Sequence, residues 1–407
     1  LRGTPAPSFA RPLAICMAAR LLIDTAIQLF NPFLPIIASG LGVDIVAMGR
    51  LLAVQNLVGL SSPALGALAE RRGYRLVMRL SLLAGALGLL AVGVSRQLPL
   101  TLLGMVLIGL CLAGFIPTVV AYLSARLPYA RRARGLGVLE YSWALSGIIG
   151  MALVGQLIAA SGWRAPFFVL SAGMFVMVFV FGLLPPVHER VRQRSSASAP
   201  SASWAVRLAR FFDLRPNALS AYSTILASTL NFLALMQLNL AYGAWLSEEY
   251  GVGPAQLGTV ALVFGCFDLC ASVSVSLFTD RLGKRRSVLI GASGALVGYA
   301  TLPLFNVGLS PAVLALAFTR GFAEFFIVSM ISLLSEQLPT QRAKVMTINV
   351  AAMQIGFTIA GFTGPWLYTY FGIPGLSYFS FAVLLVATMV TLLWVREAGD
   401  EVMQSAL

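Results

Sequence analysis

Apolar runs of about 20 residues, the length one helix needs to cross a bilayer, recur a dozen times along this chain with short breaks between them. They fall near residues 13–39, 46–69, 76–94, 99–126, 135–161 and 165–185, then near 218–247, 255–279, 287–307, 312–337, 345–371 and 375–395. We number them spans 1 to 12. Only 11 % of the 407 residues are charged against 58 % hydrophobic, well under the roughly 25 % charge of a water-soluble domain. The expected fold class is an all-α membrane protein with little sequence left for a soluble domain. The one histidine, His188, lies in a polar stretch, and Cys16, Cys111, Cys266 and Cys270 all lie inside apolar runs. No metal cluster, disulfide framework or serine–histidine triad follows from them, and no nucleotide-binding P-loop occurs. The chain is expected to be neither an enzyme nor a holder of cofactor or metal.

Lysine and arginine are retained on the cytoplasmic side during insertion, so the basic residues set the orientation. With both termini inside, 23 of the 28 fall in inner segments and three, Arg50, Arg96 and Arg164, in outer ones. This predicts an integral protein of a cytoplasmic (inner) membrane with both termini cytoplasmic. The net charge of +13 is then mostly topology and calls for no nucleic acid. Between spans 6 and 7 the stretch Ser195 to Ser203 is too small and polar to pack, and Trp204 to Phe212 reads as a short amphipathic helix or a plain tether. The expected domains are 1–185, a cytoplasmic linker 186–216, and 217–407.

The two halves match at a nearly constant offset, the mark of an internal repeat. Glu70-Arg71-x-Gly73 aligns with Asp280-Arg281-x-Gly283, Gly42-Val43 with Gly251-Val252, and Leu127-Pro128 with Leu338-Pro339. A tight turn between antiparallel helices needs glycine, and an acid there reaches the positive end of a neighbouring helix. The turns read as a latch on the cytoplasmic face, formed by Gly66, Glu70, Arg71, Gly73 and Arg75 and by Asp280, Arg281, Gly283 and Arg285, or as topology-setting charges alone.

These turns resemble the cytoplasmic loop motif of the major facilitator superfamily, and the resemblance covers essentially the whole length. The Gly162-Trp163-Arg164 turn resembles the family too, and Asp24 followed by Pro32 and Pro35 is similar to the twelve-span drug:proton antiporters. At the expected start of that subgroup's span 4 motif, Met105 stands in place of an arginine. The resemblance implies twelve helices in two pseudo-symmetric six-helix bundles, a central cavity, and alternating access.

Charge at mid-bilayer is costly, which makes intramembrane ionisable residues functional candidates. Six occur: Arg20 and Asp24 in span 1, Glu140 in span 5, Asp268 in span 8, Arg320 and Glu324 in span 10. Arg20 with Asp24 and Arg320 with Glu324 are i,i+4 pairs, whereas Asp268 has no basic residue within a turn. Asp24 and Asp268 are the expected proton carriers. Arg20, Glu140, Arg320 and Glu324 are candidate substrate contacts, with Gln28, Asn31, Asn56, Asn231, Gln237, Asn239, Tyr141 and Trp143. For the amides, a helix-to-helix hydrogen bond is the other reading. The midplane balance of two arginines against three acids suits protons and a small amphipathic molecule, cationic or neutral. The expected function is proton-coupled efflux by a monomer in a lipid bilayer; the alternatives are a uniporter or lipid/organic-anion transporter of the same fold and, further off, a membrane sensor.

Overall fold

The computed structural model describes residues 10–126, 138–139, 141–185, 211–338 and 341–397. Glu140 and nearly all of the 186–216 linker, including most of Trp204 to Phe212, lie outside the described residues, as does the side chain of Asp280. Among the described residues every regular element is helical.

Ten helices are long and apolar enough to span a membrane, and Arg11–Gln28 with Phe30–Leu41 forms an eleventh, broken span. Its break has a local cause: Pro32 lacks the N–H that would bond back to the Gln28 carbonyl, and the helix is interrupted at Leu29. The last helix, Arg342–Trp394, runs for 53 residues but is non-helical at Gly372 (φ 61°). At 1.5 Å per residue it is far longer than one bilayer crossing needs, so it counts as spans 11 and 12. Counted this way, the described residues hold twelve spans, the number the sequence predicts.

Glycines set the turns of both halves. Six adopt positive φ: Gly42, Gly73, Gly162, Gly251, Gly283 and Gly372. They pair across the repeat as Gly42 with Gly251, Gly73 with Gly283, and Gly162 with Gly372. The third pair extends the repeat beyond what the sequence motifs show, because the Trp-Arg that follows Gly162 is Ile-Pro after Gly372.

Two compact units form, Leu1–Leu29 with Val58–Ala197 and Phe30–Leu57 with Ser198–Leu407. In the first, spans 3 and 4 approach through small residues: a Cβ built on Gly88 or on Gly104 would lie 2.8 Å from the other's carbonyl oxygen. In the second, Gly298, the repeat equivalent of Gly88, packs on span 10, where its built Cβ would lie 2.9 Å from the Thr319 Cα. The second part of span 1 and the first part of span 2, Phe30–Leu57, belong to this unit. Gly243 of span 7 packs on the Pro32 backbone, and a Cβ on Gly361 of span 11 would lie 2.8 Å from the Gly49 carbonyl.

Candidate functional site

In the first unit the span 1 pair forms as expected. Arg20 Nε donates to both Asp24 oxygens at 2.8 and 3.1 Å, and Asp24 is fully buried. Span 5 completes the bonding: the Ser142 hydroxyl donates to Asp24 at 2.6 Å, and the Gln28 amide donates to Ser146 at 2.6 Å and to the Trp143 carbonyl at 3.0 Å. Ser146 opens a π-helical turn, Ser146–Gly150, and a Cβ on Gly150 would meet Thr25 at 2.7 Å. Side-chain insertion of this kind commonly accompanies a π-bulge. Ser142 and Ser146 escape sequence reading because a serine in an apolar helix has no signature of its own.

The second unit overturns the span 10 expectation. Arg320 does not pair with Glu324 one turn away. Its Nη2 donates to Asp268 of span 8 at 2.8 Å, and its Nη1 donates to Asn239 of span 7. The guanidinium carbon lies 5.1 Å from the Phe264 ring centre, and Phe264 packs edge-on against Tyr242 at 5.2 Å. A planar guanidinium offers several N–H groups in fixed directions, so it tethers three helices at once. Asp268 has no basic residue within a turn, as expected, and its partner is 52 residues away in sequence. Spans 8 and 10, Pro254–Leu282 and Leu309–Gln337, are each 29 residues long. Asp268 therefore sits at the middle of its helix and Glu324 next to the middle of its own. Glu324 is half-buried and makes no ion pair with Arg320.

The remaining amides divide. Gln237 bonds Thr363 at 3.0 Å and accepts from Ser380 at 3.2 Å, which is the helix-to-helix reading. Asn231 is fully buried with neither amide atom bonded. Asn31 and Asn56 are half-buried, and Tyr141 and Trp143 are 59 % and 40 % exposed. A separate recess of ≈ 650 Å³ in the second unit is edged by Asp44, Glu248, Glu249 and Tyr368. Its carboxylates already accept bonds from Ala47 N, Tyr368 and Trp245 respectively.

At the motif turns, Glu70 and Arg71 are exposed, Arg281 is exposed, and Gly66 has nothing within 4 Å of a built Cβ. The basic residues after the turns are engaged within their own halves. Arg75 donates to the Leu184 carbonyl at the end of span 6 (2.9 Å), and its repeat equivalent Arg285 donates to the Leu392 carbonyl near the end of span 12 (2.7 Å). Cations at helix C-termini satisfy otherwise unbonded carbonyls. Glu397, which the sequence reading passes over, accepts from the backbone N–H groups of Lys284 and Arg285 at 2.8 and 3.1 Å and so caps span 9.

Comparison with known proteins agrees with this architecture. The family model for the Major Facilitator Superfamily matches residues 16–225 and 224–404. The uncharacterised MFS-type transporter YceJ of Bacillus subtilis is 24 % identical over 351 residues, 85 % of this chain and 86 % of that protein. The multidrug resistance protein MdtG of Serratia proteamaculans is 31 % identical over 189 residues, 44 % of this chain and 46 % of its own. The crystal structure of a D-xylose-proton symporter superposes with a TM-score of 0.76 at 14 % identity, covering 95 % of this chain and 98 % of that one. Twelve apolar helices, a duplicated set of glycine turns and a family match running almost end to end lead to one conclusion: the chain belongs to the major facilitator superfamily of membrane transporters.

Proposed function

We propose that this transporter moves a small amphipathic organic molecule, cationic or neutral, by alternating access, and that it exports the molecule in exchange for protons. The carrying observation is the Arg320–Asp268 pair with Glu324 one turn away, three ionisable groups near the middle of spans 8 and 10. Charges at that depth are expensive to insert and are the groups a coupled carrier uses. Similarity to MdtG over part of the chain supports an organic substrate and outward transport. The basic loops support a cytoplasmic membrane with both termini inside, and we take the working unit to be a monomer of two six-helix halves, 1–185 and 217–407, joined by the linker.

Asp268 is the foremost coupling residue in this reading, with Asp24 the second. The closed bonding of Asp24 favours another reading for that residue, a brace that holds span 5 on span 1. Glu70, Arg71 and the Asp280 turn act as the cytoplasmic gate. The test is substrate flux and proton movement in proteoliposomes with an imposed pH gradient. Asp268→Asn should abolish gradient-driven flux while leaving exchange down the substrate's own gradient; Asp24→Asn should do the same if it carries protons and should impair both if it is a brace. Undiminished gradient-driven flux in both variants refutes the coupling assignment and leaves a uniporter.

A further inference from the structure

Arg320 commits two of its three nitrogens to the protein, Nη1 to Asn239 and Nη2 to Asp268, while Nε is buried without a partner. A second group beside it is in the same condition. Tyr299 of span 9 is fully buried, and its hydroxyl has no hydrogen bond. Because Gly298 packs against Thr319, the next residues, Tyr299 and Arg320, come to one depth on adjoining helices. A buried donor left unbonded has given up its bond to water and gained none in return. Two at one depth, next to an ion pair in the middle of the membrane, mark a place where an acceptor from outside the chain completes the bonding.

We infer that Arg320 Nε and the Tyr299 hydroxyl form a docking point for one neutral oxygen acceptor, the carbonyl of a ketone or amide, on the transported molecule. This rests on the reading that the middle of the second half binds substrate. A carbonyl oxygen has two lone pairs and takes an N–H and an O–H together. A carboxylate fits less well, since the Arg320 guanidinium already holds one, that of Asp268. Added negative charge would also share one guanidinium with Asp268 and Glu324. Phe264 and Tyr242, both buried, make the surroundings of the guanidinium aromatic, which suits an aryl ketone or aryl amide.

The test uses the full-length protein in nanodiscs and three labelled probes, 4-acetylbiphenyl, 4-ethylbiphenyl and biphenyl-4-carboxylate, with empty nanodiscs as the background. The acetyl probe should bind about tenfold more tightly than the ethyl probe, the ratio that one hydrogen bond to a charged donor supplies. Tyr299→Phe and Arg320→Lys should each cut that ratio to about threefold or less. Tyr299→Phe should also unfold at the same denaturant concentration as the wild type, because no internal bond is lost. Equal binding of the acetyl and ethyl probes, tightest binding of the carboxylate, or a Tyr299→Phe variant that keeps the full ratio or loses stability would each overturn the docking point and leave substrate binding elsewhere in the half standing. Binding of no probe above background would overturn both the docking point and the reading on which it rests.

Discussion

Removing Glu324 should cost little, whereas removing either member of the Arg320–Asp268 pair should cost a great deal. Arg320→Met leaves the Asp268 carboxylate, whose side chain is only 20 % exposed, without its one hydrogen-bond partner among the described residues, and also strips the Asn239 carbonyl of its donor. Breaking a fully buried pair costs 3–5 kcal/mol, and partial exposure lowers this to about 2–4 kcal/mol here. Asp268→Asn keeps the shape and leaves Arg320 with Asn239, so it should cost about 1–2 kcal/mol. Arg320→Met with Asp268→Asn removes both charges and should recover most of the loss, giving a coupling energy of about 1–3 kcal/mol in the double-mutant cycle. Glu324→Gln breaks no ion pair and should stay within about 0.5 kcal/mol of wild type. Reversible denaturation of the purified protein in mixed micelles, followed by tryptophan fluorescence, measures all four. If Glu324→Gln costs as much as Asp268→Asn, and the Arg320–Asp268 coupling falls below about 0.5 kcal/mol, the cross-helix pairing is not what holds these spans.

Three further outcomes are expected. Ser142→Ala removes a 2.6 Å hydroxyl donation to a buried carboxylate and should destabilise by about 1–3 kcal/mol in the same denaturation assay. Gly298→Val drives a branched side chain into Thr319 and should cost at least about 1–3 kcal/mol, while Gly66→Ala, which meets nothing within 4 Å, should change stability by no more than about 0.5 kcal/mol. Glu397→Ala unbonds the Lys284 and Arg285 amides, and hydrogen exchange should show faster exchange there with the middle of span 9 unchanged.

The spans, their number and the repeat are legible in the sequence because each is local: an apolar run, a glycine where the backbone turns left-handed, a cluster of basic residues. Asp24 and Arg20 are legible for the same reason, being one helical turn apart. Arg320 misleads by that same rule. Glu324 stands at the right spacing, yet the guanidinium bonds to Asp268 and Asn239, which lie on helices whose adjacency no periodicity encodes. Ser142, Ser146 and Thr363 are invisible for a related reason: a short side-chain hydroxyl in an apolar helix bonds its own backbone as readily as a neighbour, and only packing decides. Gly372 was hidden by the change in its flanking residues, and Glu397 by lying just past the last span.

The spacing of the glycine turns has a consequence for the angular setting of the helices. Gly162 follows Gly73 by 89 residues, and Gly372 follows Gly283 by 89. One residue inserted in a helix rotates all that follows by 100°, so the turns bounding each stretch stay in register, while span 10, Leu309–Gln337, lies 211 residues after span 4, Leu98–Arg126. Arg320 then matches Gly109, Glu324 matches Ala113, and Asp24, at the offset of 209 that pairs Gly42 with Gly251, matches Leu233. The duplicated scaffold is symmetric while the charges are not: one half carries its ion pair on its first helix, the other across its second and fourth. Under the proposed function, a cargo group that bonds Arg320 has no repeat-related charged partner on span 4, so the C-terminal half alone recognises it.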